Sequence, residues 1–142
     1  FMDVDSNTGD IWVLLADEVL KYNPDLTLAG SHPKKPKKWE PELVGLSRIA
    51  ADGRGGAWVS TQGSLYQVSE AVVPSKTAIA TAADTEEIKR LSADWSDGSV
   101  WVTRAHAVHH VLRTGAVASS TTLRAGVEAL DSAAYVSRPG AP

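Results

Sequence analysis

Three of the chain's four histidines stand together, at His106, His109 and His110. Imidazoles at close spacing invite two kinds of chemistry, metal ligation and general-base catalysis. The spacing argues against a shared ion, because neighbouring residues on a strand point to opposite faces and no acidic residue lies beside them in sequence. No metal centre and no cofactor is therefore expected. His109 reads as a packed histidine and His110 as a surface one. A second candidate is a pair of arginines in matching contexts, Arg48-Ile-Ala-Ala-Asp52 and Arg90-Leu-Ser-Ala-Asp94. Two guanidiniums at equivalent positions could grip an anionic group in bidentate fashion. They could equally each pair with a nearby carboxylate and stiffen the fold, as repeated charges usually do. Asp5, Asp52, Asp94 and Asp97 have the look of calcium loops but read more simply as turn residues bonding their own backbone. No nucleophile elbow and no phosphate-binding glycine loop is present.

Composition narrows the rest. The 142 residues fit one domain, and a net charge of −3 with no dominant basic stripe speaks against nucleic acid. There are no cysteines, so disulfides and thiolate chemistry are excluded. No apolar run approaches the ~20 residues of a membrane-spanning helix. The opening residues, Phe1 to Asp5, lack the charged start and apolar stretch of a signal peptide. Four of the fourteen Lys and Arg residues crowd into 33–41 beside Trp39, where prolines forbid regular strand. That segment reads as a solvated loop rather than a polyanion patch.

The elements that must position these residues announce themselves through tryptophan. Five Trp accompany a single Phe. Trp12, Trp58 and Trp101 each follow a glycine by three residues, Gly9, Gly55 and Gly98, and each precedes a valine. Their spacing of about 45 residues is that of an array of stacked units. Short, partly alternating apolar segments bounded by turn residues divide each unit into four strands. Strand a is expected at 2–5, 46–51 and 88–93, strand b at 11–15, 57–61 and 100–104, strand c at 19–22, 64–68 and 108–112, and strand d at 26–29, 77–81 and 119–123. The Asp and Gly residues make the a–b reversal, and the wide Trp of strand b fills the gap between neighbouring sheets. Residues 71–87 read as an insertion, with a short helical turn starting near Asp84. Units run over roughly 1–45, 46–87 and 88–126, with 127–142 opening a fourth unit around Tyr135 or closing the third.

Four-stranded units of about 40–45 residues are the blades of a β-propeller. The Asp-Gly turn followed by hydrophobic-Trp-Val resembles the repeats of the NHL, streptogramin-lyase and two-component-regulator propellers. The resemblance covers nearly the whole chain and implies an all-β fold of about three blades, half or a fragment of a six- to eight-bladed ring. Propellers bind ligands at one end of a central channel, among the d–a and b–c connections. On this chain that end would hold Asp17, Glu18, Gln62, Arg104 and His106, with Arg48 and Arg90 on the innermost strands. The expected function is a non-enzymatic binding module for a protein, peptide or glycan, extracytoplasmic, its ring completed by a second copy or by further chain. The alternative is a streptogramin-lyase- or lactonase-like enzyme with a ligand or metal in the channel. Fold alone cannot choose between them.

Overall fold

The computed structural model describes residues 1–32, 46–77, 79 and 86–123. The basic loop at 33–41, the turn near Asp84 and the segment 127–142 lie outside them. The described residues form twelve strands: β1 (Met2–Val4), β2 (Ile11–Leu14), β3 (Val19–Tyr22), β4 (Leu28–His32), β5 (Arg48–Ala51), β6 (Ala57–Ser60), β7 (Leu65–Val68), β8 (Pro74–Lys76), β9 (Ile88–Asp94), β10 (Ser99–Arg104), β11 (Ala107–Val111) and β12 (Val117–Thr122). They make three four-stranded antiparallel meanders, β1–β4, β5–β8 and β9–β12. The first strands β1, β5 and β9 lie against one another and hold the three sheets together on one side. No helix among the described residues is long and apolar enough to cross a membrane.

The fourth strand of the second sheet departs from the sequence expectation, while those of the first and third overlap the expected ranges. β8 begins at Pro74, earlier than the expected 77–81, so the supposed insertion at 71–87 already contains a strand. Proline is admissible there because it opens an edge strand, where its missing N–H leaves no ladder bond unmade. The third-to-fourth strand reversal is short and the same in every sheet. Leu26, Val72 and Gly115 donate their amides to the carbonyls of Asn23, Ser69 and Leu112, at 2.9, 2.8 and 2.8 Å. Each sits at positive φ, +69°, +62° and +88°. Only Gly115 carries the residue that a left-handed backbone favours, and the turn at Val72 gives no such signal in the sequence.

Packing between sheets follows the tryptophans. Trp12, Leu14 and Val19 leave the first sheet and bury against Ala51, Ala57, Val59, Tyr66 and Val68 of the second. Trp58 and Leu65 leave the second and bury against Ile88, Val100, Val102 and Val111 of the third. Trp12 and Trp58 thus point to the following sheet, and Val59 and Val102 meet the preceding one. A fully buried Trp removes about 150–250 Å² from water, worth about 4–6 kcal/mol at 25 cal/mol per Å².

The two interfaces differ in their polar detail. Trp58 Nε1 donates to Gly98 O of the next sheet at 3.0 Å. The counterpart acceptor for Trp12 is Gly55 O, but Lys21 Nζ holds it at 2.8 Å. Trp12 Nε1 is left buried without a hydrogen bond. Lys21 is only 5% exposed. Its ammonium also reaches Asp10 at 3.3 Å and Glu70 O at 3.2 Å, and stands 5.3 Å over the Trp12 ring. The position that Lys21 shares with Gln67 and His110 is therefore not the solvent position expected from sequence, because strand c turns that residue onto its own tryptophan.

This asymmetry predicts unequal costs for the same substitution. Trp12→Phe loses volume only, whereas Trp58→Phe loses volume and a hydrogen bond and leaves Gly98 O unpaired. Urea denaturation should place Trp58→Phe about 1 kcal/mol below Trp12→Phe in stability. Equal losses would mean that the Gly98 bond contributes nothing.

Candidate functional site

The end of the sheets formed by the second-to-third strand turns carries every residue singled out for the channel. Asp17 and Glu18 lie on the β2–β3 turn, where Glu18 O accepts from Leu15 N at 2.9 Å. Gln62 lies on the β6–β7 turn, and its carbonyl accepts Ile88 N at 2.7 Å. Arg104 is the last residue of β10 and His106 follows on the β10–β11 turn. Arg48 opens β5, and Arg90 pairs across from Thr103 in β9.

The arginines turn out to be ties between sheets. Arg104 is fully buried. Its guanidinium donates to Gly63 O of the second sheet at 2.9 Å and to Glu86 O ahead of the third. Arg48 Nε donates to Lys89 O at 2.9 Å, joining β5 to β9, and its NH1 donates to Ser47 O at 2.7 Å. The Phe1 ring lies 5.0 Å beneath that guanidinium. Arg48 and Arg104 thus close backbone carbonyls that connections and the β9 irregularity at Lys89 leave open, and Arg90 is engaged as well.

His106 is different. It is exposed, its amide donates to Glu86 Oε2 at 3.2 Å, and its Nδ1 lies 3.2 Å from both carboxylate oxygens. A carboxylate on one ring nitrogen orients the imidazole and leaves Nε2 facing outward as a proton acceptor. Glu86 was missed in sequence, since it stands 20 residues away and is brought in only when β9 docks on the second sheet. His109 and His110 point to opposite faces of β11. His109 shares the Val102 face, half-buried, with Nδ1 2.7 Å from Ser120 Oγ. His110 stacks on Trp101 at 4.2 Å and 7°, and its Nε2 meets Ser99 Oγ at 3.0 Å. Among the described residues no three metal-ligating side chains gather at one point.

The turn aspartates serve their own backbones. Asp5 Oδ1 accepts the amides of Asn7 and Thr8 at 2.9 and 3.1 Å. Asp52 Oδ1 accepts those of Arg54 and Gly56 at 2.7 and 3.0 Å. Asp94 accepts Ser96 N, and Asp97 accepts Ser99 N, both at 2.9 Å. Hydrogen bonding from the Ser99 side chain, and then its amide, holds the Asp97 carboxyl below its ordinary value of 3.8, with His110 and Arg54 adding attraction.

Three meanders joined along their first strands, with each Trp driven into the next sheet, are a recurrent geometry among solved structures. One match is virginiamycin B lyase from Staphylococcus aureus, at a TM-score of 0.60 and 8% identity over 88% of this chain. Another is the extracellular domain of a putative hybrid two component system from B. thetaiotaomicron, at 0.62 and 18% over 92%. A third is BBS1N, solved in complex with ARL6DN, at 0.55 and 16% over 87%. The chain is a partial β-propeller. Its sheets are about three blades, and it spans 41%, 17% and 38% of those three chains. No family model matches the sequence, and no curated protein matches it.

Two outcomes check this site. Arg104→Met leaves two carbonyls unpaired, at about 1–3 kcal/mol each, so it should destabilise the propeller by about 2–5 kcal/mol, whereas His106→Ala should cost under about 1 kcal/mol at its exposed position; chemical denaturation reads both. Asp97→Asn tests the depressed carboxyl. A group whose folded value lies below its unfolded one stabilises above the unfolded value and loses that contribution as pH falls through the folded one. The stability gap between wild type and Asp97→Asn should therefore be widest above pH 3.8 and close below it, and a gap independent of pH would remove Asp97 from the account.

Proposed function

We propose that the chain is a non-enzymatic binding module, made of units at roughly 1–45, 46–87 and 88–126 of a larger ring. The observation that carries the reading is the use of Arg48 and Arg104 as ties between blades. The charged groups best suited to chemistry at the channel end are committed to carbonyls, while Asp17 and His106 stay exposed on the rim. A rigid rim with exposed polar side chains suits a protein, peptide or glycan partner. The solved complex of BBS1N with ARL6DN is a precedent for a protein partner on this fold. The extracellular domain among the similar structures favours an extracytoplasmic setting.

Ring closure belongs to the same reading. The outer face of the first blade carries Met2, Val4 and Leu28, which are 67%, 42% and 57% exposed. The equivalent face of the second blade, Ala51, Ala57 and Val59, is covered by Trp12. A further blade, from a second copy or from more of the parent chain, would cover the first face in the same way.

One observation favours the enzymatic alternative. The Glu86–His106 pair holds an imidazole at the rim with one nitrogen outward, a general-base arrangement, and virginiamycin B lyase shares the fold. The two readings separate on the whole protein. Peptide and glycan arrays should retain a ligand that Asp17→Lys and His106→Glu each weaken about tenfold or more, with unchanged melting temperature. Turnover of a cyclic ester, abolished by chelator and by His106→Ala, would establish the enzyme instead.

A further inference from the structure

At the end of the blades opposite the channel arginines, a groove of about 280 Å³ opens between the second and third blades. The equivalent place between the first and second blades is filled by the Lys21 ammonium and the Asp10 carboxylate. Lys21 corresponds to Gln67 in the next blade, since each pairs with its blade's tryptophan, and Asp10 corresponds to Gly56. Gln67 Nε2 donates to Arg113 O at 2.6 Å, the counterpart of the Lys21 bond to Glu70 O. The shorter amide reaches the same carbonyl but brings no charge, and Gly56 brings no side chain. The plug of the first interface is missing from the second.

The charges around this opening are arranged in an unusual way. Arg54 comes from the β5–β6 turn and Arg113 from the β11–β12 turn, yet both pass over Gly98. Their Cδ atoms lie 3.2 and 3.0 Å from where a Cβ would stand on that glycine. Arg54 spends one nitrogen on Ser96 O at 2.6 Å. The Arg113 guanidinium makes no hydrogen bond or ion pair among the described residues. Glu70 lines the same groove with its side chain against Gly55, and its carboxylate is likewise unpaired among the described residues. Asp52 is 4% exposed; its Oδ1 is satisfied by two amides, while its Oδ2 makes no hydrogen bond and abuts the side of Gly56. Two arginine side chains that cross the same glycine and two carboxylates thus line one groove without an ion pair between the signs.

The geometry points to a binding site for a small zwitterion, a carboxylate and an ammonium on a short carbon chain, of the amino-acid or dipeptide class. The carboxylate bridges Arg54 and Arg113, whose planar donors suit it in bidentate fashion. The ammonium takes Glu70 and the free oxygen of Asp52. A simple anion would meet the two carboxylates, and a simple cation the two arginines. The volume falls just below that of drug-sized ligand pockets, about 300–1,000 Å³, as a small ligand requires. The site lies away from the channel rim and stands whether the rim binds a partner or turns over a substrate.

Isothermal titration of the 142-residue chain with glycylglycine and 4-aminobutyrate tests this, with acetate and butylamine as half-ligands. At least one zwitterion should bind with a Kd of about 1 mM or tighter, and each half-ligand about tenfold more weakly. Arg113→Gln and Glu70→Gln, both at exposed side chains, should each weaken the zwitterion by about tenfold or more. Gln67→Lys places an ammonium where Lys21 stands in the first interface and should abolish binding, with circular dichroism reading retention of the fold. Absence of binding by both zwitterions, acetate binding as tightly as they do, or binding indifferent to Gln67→Lys would each overturn the assignment.

Discussion

Everything in this molecule depends on the tryptophan of each second strand entering the sheet that follows it. A four-stranded meander alone has two faces and nothing to bury them. Trp12 and Trp58 solve that for one face of their own blade and for the receiving face of the next, where small residues such as Ala51 and Ala57 make room. Stability is then a sum of nearest-neighbour contacts along the array. The Asp-Gly reversals gain their meaning from this, because they set the height at which each ring meets its neighbour.

Once the sheets are stacked, their turns are close enough to bond across the interface. Asn7 donates to Gly53 O at 3.1 Å, and Gly55 N reaches Asp5 Oδ2 at 3.3 Å. Trp95 donates to Ala51 O at 3.0 Å, and Ala51 N to Asp3 Oδ2 at 2.7 Å. The opposite end is tied by Arg48 and Arg104 through carbonyls. Both ends therefore resist a sliding of one blade on another, which apolar packing alone would permit because dispersion contacts are non-directional. The cost is that Arg48 and Arg104 are spent on structure.

How much of this was legible in the sequence follows from how far each feature lies from the repeat. The strands carrying Trp, Val and Asp-Gly were readable because the same local sentence recurs, and the end of the sheets that gathers Arg104 and His106 followed from strand order alone. The fourth strand of the second sheet was not, because Val72 adopts a left-handed conformation that its side chain disfavours, held there by the turn's own hydrogen bond. The burial of Lys21 was hidden for another reason. Lysine signals solvent unless something pairs it, and besides Asp10 its partners are two carbonyls 34 and 49 residues away. Glu86 beside His106 is hidden in the same way, being a product of blade docking and not of spacing.

Repetition also explains how a scaffold with so little sequence identity to its structural counterparts can carry distinct sites. The repeat fixes the backbone at each interface and leaves side chains at a few positions free to differ. Where strand c offers lysine facing aspartate, the interface is sealed and Trp12 loses its hydrogen bond as a consequence. Where it offers glutamine facing glycine, Trp58 keeps its bond to Gly98 and the space beside it stays open. The same backbone is thus more completely satisfied in its apolar core exactly where it is less complete at its polar edge. Binding capacity in such a chain is best sought at the positions where one blade fails to repeat the previous one.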